Sequence, residues 1–195
     1  MKKKYYALFA AIIAIGIGLG IMYIEFWRDA GIELPEDVTM ETVSGESYSF
    51  QDMEPKVRLV EFFYAKCPDV CPLTTQRMMH LKKQFEKDDL FKNNIEFISI
   101  TIDPENDTRK ALSGYMERYG IKPNDGWTFL RGSLEDTEKV AEPFRFLFND
   151  VGTDFITHTS YAYLLNEDNQ LVDKFPMGEG FNKEEVYNSM TSMIN

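Results

Sequence analysis

The chain has 195 residues and a formal net charge of −11, from 32 acidic and 21 basic side chains. Less its apolar N-terminal stretch it holds one domain of about 160 residues, large enough to bury a core without disulfide staples, so its two cysteines are not needed as scaffolding. The acidic balance disfavours nucleic acid or an anionic membrane surface as a partner and suits a cation or a basic protein, although solubility alone explains it equally well.

Lys2 to Lys4 precede an uncharged run from Tyr5 to Ile24, about the span that a bilayer core requires, and Glu25, Arg28 and Asp29 end it. The lysines place the N-terminus in the cytoplasm and residues from 30 onward outside, with Tyr5, Tyr6, Tyr23, Phe26 and Trp27 at the two interfaces. The run is long for a signal-peptide core and no small-x-small site follows it, so the expectation is an uncleaved single-pass anchor over residues 1–28. No cysteine lies near the segment, which excludes a diacylglycerol-modified lipoprotein. Gly16 and Gly20 form a GxxxG pair, a spacing that packs helices together but is also common in such spans. Residues 29–37, with Gly31 and Pro35, read as a linker, and residues 38–195 as the folded domain.

Val38–Val43 and Ser47–Phe50 flank Ser44-Gly45-Glu46 like a hairpin. Val57–Ala65 is rich in β-formers and reads as a buried central strand running straight into Cys67-Pro68-Asp69-Val70-Cys71-Pro72. Thr74–Lys87 follows as a helix with Met78, Leu81 and Phe85 on one stripe. A second strand, Ile95–Ile102, ends at Asp103-Pro104, and a helix runs from Asp107 or Thr108 to Tyr119 with Asp107 as a plausible cap. Trp127–Arg131 is a short strand and Leu134–Phe148 a helix interrupted at Pro143. Ser160–Leu165 and Leu171–Phe175 form a hairpin, and Asn182–Met193 closes the chain as a helix. The pattern is that of an α/β domain with a central parallel pair extended by antiparallel strands.

Each cysteine precedes a proline, which pushes it toward extended dihedrals, so Cys67–Cys71 is not a regular helical turn. Pro72 suits the first helical position, which makes Cys71 the expected N-cap and sets both sulfurs near the positive end of the helix dipole, where thiolates are favoured. Lys66 adds to that effect and Asp69 opposes it. Thiolates are soft ligands suited to copper(I) or zinc, and a third ligand has to come from elsewhere. Of the two histidines, His80 lies eight residues beyond Pro72, about 12 Å up the helix axis and too far to share a metal with Cys71. His158 stands in a loop entered from Gly152-Thr153-Asp154, before a strand, from which it can reach the helix mouth; taken alone, a histidine in such a place is more often a hydrogen-bonded structural residue.

The segment Phe62-Phe63-Tyr64-Ala65-Lys66-Cys67-Pro68-Asp69-Val70-Cys71-Pro72 resembles the metal-binding motif of the Sco/SenC copper proteins. Ile100 to Thr108 is similar to the DPxxDT segment of that family, and His158-Thr159-Ser160 with Tyr163-Leu164 to its distal histidine motif; the likeness spans residues 38 to 193. It implies a thioredoxin-like fold, copper held as Cu(I) or Cu(II) by Cys67, Cys71 and His158, and a role in assembling the dinuclear copper centre of cytochrome c oxidase. The implied partners are the copper-bearing oxidase subunit, other copper chaperones or thiol–disulfide reductants, and the membrane. Asp103 and Asp107, at a strand's carboxyl end, read as outer groups of the site or as caps, with the cap favoured for Asp107. Of the ten methionines, only Met177 lies where a thioether ligand is worth watching.

The competing reading is a membrane-tethered thiol–disulfide oxidoreductase, using the same two sulfurs to keep the cysteine ligands of the oxidase reduced. Three residues rather than two separate Cys67 from Cys71, and His158 rather than a proline stands before the late strand, both of which weigh against a general redox catalyst. Tyr64 occupies the threonine position of a peroxiredoxin-like T-x-x-C pattern, which weighs against peroxidase chemistry. An inert structural disulfide is the remaining reading, in a domain whose size does not call for one.

Overall fold

A computed structural model describes residues 5–6, 9, 13–22, 34–35, 37–150 and 155–194. The chain divides into two units, Met1–Gly31 and Ile32–Asn195. In the first, residues 13–22 are helical (α1). Among the described residues no helix is long and apolar enough to cross a membrane. Residues 7–8, 10–12 and 23–24 of the expected span, Phe26 and Trp27 of its aromatic belt, and most of the expected linker lie outside the described residues.

In the second unit, β1 (Met40–Thr42) and β2 (Ser47–Tyr48) form the expected hairpin. Gly45 turns it at φ +84°, a conformation that a residue with a Cβ rarely adopts. The main sheet has seven strands in the order β2-β1-β5-β4-β3-β8-β9. Its centre is a parallel trio, β3 (Val57–Phe63), β4 (Ile95–Thr101) and β5 (Trp127–Arg131), rather than the expected pair. The reason is that β5, like β4, is reached through a crossover helix, which returns the chain in the same direction. The hairpin of β8 (Tyr161–Leu165) and β9 (Leu171–Pro176) adds antiparallel to β3, and β1 adds antiparallel to β5.

Every residue of β3 is buried, as a central strand covered on both faces requires. Phe62 meets Phe144, Phe146 and Tyr163, and Phe63 meets Tyr115 and Phe129, because successive side chains leave a strand on opposite faces. Burying each ring contributes about 2 kcal/mol, which anchors the end of β3 from both sides.

Three helical boundaries differ from expectation. Helix α2 (Val70–Lys87) starts before Thr74, with Asp69 at the N-cap, so Cys71 lies inside its first turn. Pro72 is tolerated there because the first four N–H groups of a helix have no intrahelical acceptor to lose. Helix α3 (Arg109–Tyr119) is capped by Thr108, whose hydroxyl accepts the Ala111 N–H at 3.2 Å; Asp107 is not the cap. Helix α4 (Leu134–Ala141) ends two residues short of Pro143, which has no N–H to continue it, and Phe148, the expected last residue of the helix, instead opens β6 (Phe148–Asp150). Strand β6 pairs antiparallel with β7 (Ile156–His158) in a separate two-stranded sheet. His158 therefore ends a strand instead of riding a loop, and Gly152, Thr153 and Asp154 lie outside the described residues. Helix α5 (Lys183–Thr191) lies within the expected closing helix Asn182–Met193, is capped by Asn182, and stacks Tyr187 on Phe85 of α2 at 5.0 Å.

Candidate metal centre

Beyond Phe63 the chain turns through Tyr64, Ala65 and Lys66, with the Cys67 N–H bonded to the Tyr64 carbonyl at 3.1 Å. A buried turn has to satisfy its backbone donors, and Asp107 does so here. Its Oδ2 accepts the Ala65 N–H at 2.9 Å and the Thr101 hydroxyl at 2.5 Å, tying the exit of β3 to the end of β4. Asp107 is fully buried, and burial pushes its carboxyl above the usual range against the pull of those two hydrogen bonds. Arg131 braces the same segment, donating to the carbonyls of Asp107 at 3.2 Å and Pro104 at 3.0 Å.

The two cysteines are free thiols, Cys67 8 % exposed and Cys71 wholly buried. The Cys71 N–H, in the first turn of α2, donates to Cys67 Sγ at 3.4 Å. A hydrogen bond from the Cys71 thiol pulls Cys67 well below the usual thiol range; burial opposes it, and His158 and the N–H groups of Asp69 and Cys71 assist it. Cys71 moves the other way, because it carries the shared proton, is buried, and faces the Cys67 charge. The pair thus holds one thiolate and one thiol at a helix N-terminus, the place where a negative sulfur is best tolerated.

His158 is presented by β7, opposite Phe148 of β6. The Thr159 N–H bonds to the Leu147 carbonyl at 2.8 Å, and the Thr159 hydroxyl accepts the Leu147 N–H at 3.1 Å. The imidazole stacks on Phe146, centroids 5.8 Å apart at 24°, and meets Tyr64 edge-on at 6.0 Å. Nδ1 lies 2.8 Å from the Thr159 carbonyl oxygen. A carbonyl only accepts, so this contact puts the proton on Nδ1 and leaves Nε2 as the nitrogen free to ligate. Burial pushes the His158 pKa down, but the bonds to Cys67 and Thr159 outweigh it and the net shift is upward. The Tyr64 hydroxyl reaches across to accept the Ile156 N–H at 3.4 Å, linking the β6–β7 ribbon to the cysteine turn.

The ligand atoms of Cys67, Cys71 and His158 all lie within 4.8 Å of one another. Two soft sulfurs and one imidazole nitrogen, mostly shielded from water, are a donor set that fits copper or zinc. The other sequence candidates stand outside this trio. Asp107 is spent on backbone and Thr101, and Asp103 holds Asn106 through its Oδ1 at 2.9 Å. Met177 packs in the core, its N–H bonded to the Ser160 carbonyl at 3.0 Å. His80 is exposed, with Nδ1 3.5 Å from Lys183 Nζ.

Motif spacing gives no hint of Glu61, which is fully buried in β3. Its Oε1 accepts the Ser99 hydroxyl at 2.7 Å, Ser99 Oγ in turn accepts the Trp127 indole N–H at 2.8 Å, and its Oε2 has no hydrogen-bond partner among the described residues. Desolvation pushes Glu61 up to about 7, against the Ser99 bond and with help from the Cys67 charge. The available signal is one acidic residue inside the otherwise apolar stretch Leu59–Phe63.

The SCO1/SenC family model matches residues 35–195. A SCO1 protein homolog of Bacillus subtilis (strain 168) is 28% identical over 143 residues, covering 72% of each chain. The mitochondrial Protein SCO1 homolog of Homo sapiens is 27% identical over 159 residues, covering 79% of this chain but 50% of the human one. Among solved structures, a SCO1/SenC family lipoprotein from Bacillus anthracis str. Ames superimposes with a TM-score of 0.74 at 21% identity, over 86% of this chain and 99% of that one. Bradyrhizobium japonicum ScoI with copper bound gives 0.68 at 23%, over 83% and 100%. BsSco, described as having a disulfide switch and belonging to the Sco family of cytochrome c oxidase assembly proteins, gives 0.70 at 24%, over 84% and 92%. These likenesses carry the fold, which is the mixed α/β, thioredoxin-like one expected.

Proposed function

The chain belongs to the SCO1/SenC family, and from that premise we propose that it is an extracytoplasmic copper-binding protein that helps assemble the dinuclear copper centre of cytochrome c oxidase. The observation that carries this reading is the convergence of Cys67, Cys71 and His158 within 4.8 Å, with Nδ1 turned to Thr159 so that Nε2 is available. Copper is the cargo, and the residues that hold it are these three. The copper-bound state of the ScoI relative and the oxidase-assembly description of BsSco support the same reading. The partner is then the copper-bearing subunit of the oxidase, and the domain spanning residues 38–195 is held at the membrane by the apolar segment Tyr5–Ile24.

Copper(II) added to the reduced full chain is expected to give sulfur-to-copper charge-transfer absorption, which disappears in Cys67→Ser and Cys71→Ser. A featureless spectrum contradicts the reading. Normal oxidase activity in a strain lacking the chain, grown on limiting copper, contradicts the assembly role. Release of the chain from membranes by alkaline carbonate contradicts the anchor.

One observation favours a second reading. Cys67 and Cys71 are free, with sulfurs within 4.8 Å of one another, the arrangement of a dithiol that forms and exchanges a disulfide, and a disulfide switch is described for BsSco. In that reading the chain reduces the cysteine ligands of the oxidase. Exchange with a copper-free oxidase fragment that is slow in both directions rules it out.

A further inference from the structure

Helices α4 and α5 each carry two acids in their first turn, Glu135 with Asp136 and Glu184 with Glu185, where the helix dipole favours them. Helix α3 has none, and Arg109 and Lys110 stand there instead. In a chain with 32 acids and 21 bases this is a local reversal, and cations at a helix N-terminus oppose the dipole. Lys110 opens onto a groove of about 440 Å³ that it lines with Lys66, Thr108, Gly114, Tyr115 and Arg118. Lys66, Lys110 and Arg118 are exposed and make no ion pair among the described residues. Lys66, which lines the groove, is the residue before Cys67, so the groove begins one residue along the chain from the less buried sulfur, although Cys67 itself does not line it.

Lys110, Gly114 and Arg118 are spaced four apart and share one face of α3. Glycine inside a helix is unfavourable, and no atom lies within 4 Å of where a Gly114 Cβ would stand, so internal packing does not require it. A bare backbone between two cations leaves room for another chain to lie along the helix. On the other side of the β3–β4 exit, a cavity of about 240 Å³ is lined by Asp103, Glu105 and Glu138, so a partner of one charge meets opposite responses on the two sides.

We propose that this groove docks an acidic, extended segment of the protein that exchanges with Cys67. The inference rests on the second reading above, with Cys67 as the exchanging sulfur because it is the less buried of the two. A string of three cations along an open groove fits a polypeptide bearing several carboxylates better than a single small anion, and like-charged partners are repelled.

The test uses the full chain, reduced, in neutral detergent, with peptides of about ten residues. One alternates glutamate and serine, one lysine and serine, and one is neutral; each ends in a cysteine held as a mixed disulfide with thionitrobenzoate. The Cys67 thiolate attacks the peptide sulfur, a Cys67–peptide disulfide forms, and the electron pair of the old S–S bond leaves with the yellow thionitrobenzoate anion. Rates are read relative to the neutral peptide, which cancels changes in the nucleophile itself. The acidic peptide is expected to react on the order of 10-fold faster than the basic one at low ionic strength, with the gap closing at high salt. The triple variant K66Q/K110Q/R118Q is expected to lose the preference. Gly114→Leu is expected to lose it while raising the melting temperature, and Gly114→Ala to raise the melting temperature and keep the preference.

Equal rates for the two peptides, or a preference untouched by the triple variant or by Gly114→Leu, overturn the proposal. So does a triple variant that keeps the peptide preference but no longer binds phosphatidylglycerol vesicles, which makes the groove a lipid site. Copper titration separates the two claims. A chain that prefers the acidic peptide but takes up no copper supports the groove and removes the metal reading.

Discussion

The cysteine turn and the histidine ribbon meet at one site but are built differently. Cys67 and Cys71 hang from the fully buried strand β3 and from α2, and Asp107, Thr101 and Arg131 hold their turn with hydrogen bonds to backbone and side chain. His158 comes from a two-stranded sheet separate from the main one, with Leu147 75 % and Phe155 57 % exposed on the same ribbon. It is positioned by Phe146, Tyr64 and Thr159. Two donors are thus fixed by the core, while the third is supplied from the periphery. That division would let a bond to His158 open without disturbing the two sulfurs, as the proposed copper delivery requires.

The largest expected effects break the division outright. Cys67→Ser or Cys71→Ser is expected to abolish copper charge-transfer absorption, whereas His158→Ala is expected to leave sulfur ligation with affinity lowered roughly 100-fold or more, since loss of an outer partner alone costs 10–100-fold. Competition titration against a chelator of known affinity measures the difference. Equal and total loss in all three variants would show that the donors act as one rigid unit.

Asp107→Ala tests the core side. It strands the Ala65 N–H and the Thr101 hydroxyl, and unfolding in urea is expected to lose about 3 kcal/mol. Asp107→Asn, which keeps an acceptor oxygen, is expected to lose less.

Glu61 gives the same side a pH signature. An acid raised from 4.5 to about 7 binds more protons folded than unfolded, so its contribution to stability is present below pH 4.5 and declines as pH climbs through about 7. The total is about 3 kcal/mol. Glu61→Gln keeps an acceptor for Ser99 and is expected to flatten that decline, leaving the variant more stable than the parent at pH 8. An unchanged slope in denaturation midpoints from pH 5 to 8 would refute a buried, neutral Glu61.

The smallest effect belongs to the ribbon. Tyr64→Phe removes the acceptor of the Ile156 N–H and is expected to cost under about 1 kcal/mol. Hydrogen exchange at Ile156 and His158 is expected to speed up with that of β3 unchanged. Faster exchange in β3 as well would merge the two regions into one cooperative unit.

The same contrast decides what could be read from the sequence. The cysteine side is local, a β-rich run into two Cys-Pro steps and a helical stripe, and composition carries it directly. Even there the start of α2 moves, because a proline in the first turn is compatible with more than one helical position. The ribbon is not local in the same sense. Phe148 is read as the last residue of a helix, and Phe148–Asp150 becomes a strand only by pairing with Ile156–His158, a tertiary choice that propensity does not encode. Asp107 shows a related failure. An aspartate just before a helix looks like a cap, yet Thr108 takes that role and Asp107 turns inward to accept the Ala65 N–H of the cysteine turn, which sequence spacing does not reveal. Glu61 stands out as a charge in a buried strand, but its partners Ser99 and Trp127 come from β4 and β5 and become visible only once the sheet order is known.

X-ray absorption at the copper edge of the loaded full chain tests the three-donor site most directly. The expected spectrum fits two sulfur scatterers and one imidazole nitrogen, with the nitrogen lost in His158→Ala and both sulfurs retained. A first shell of sulfur alone in the parent chain, or of oxygen and nitrogen without sulfur, would contradict the site.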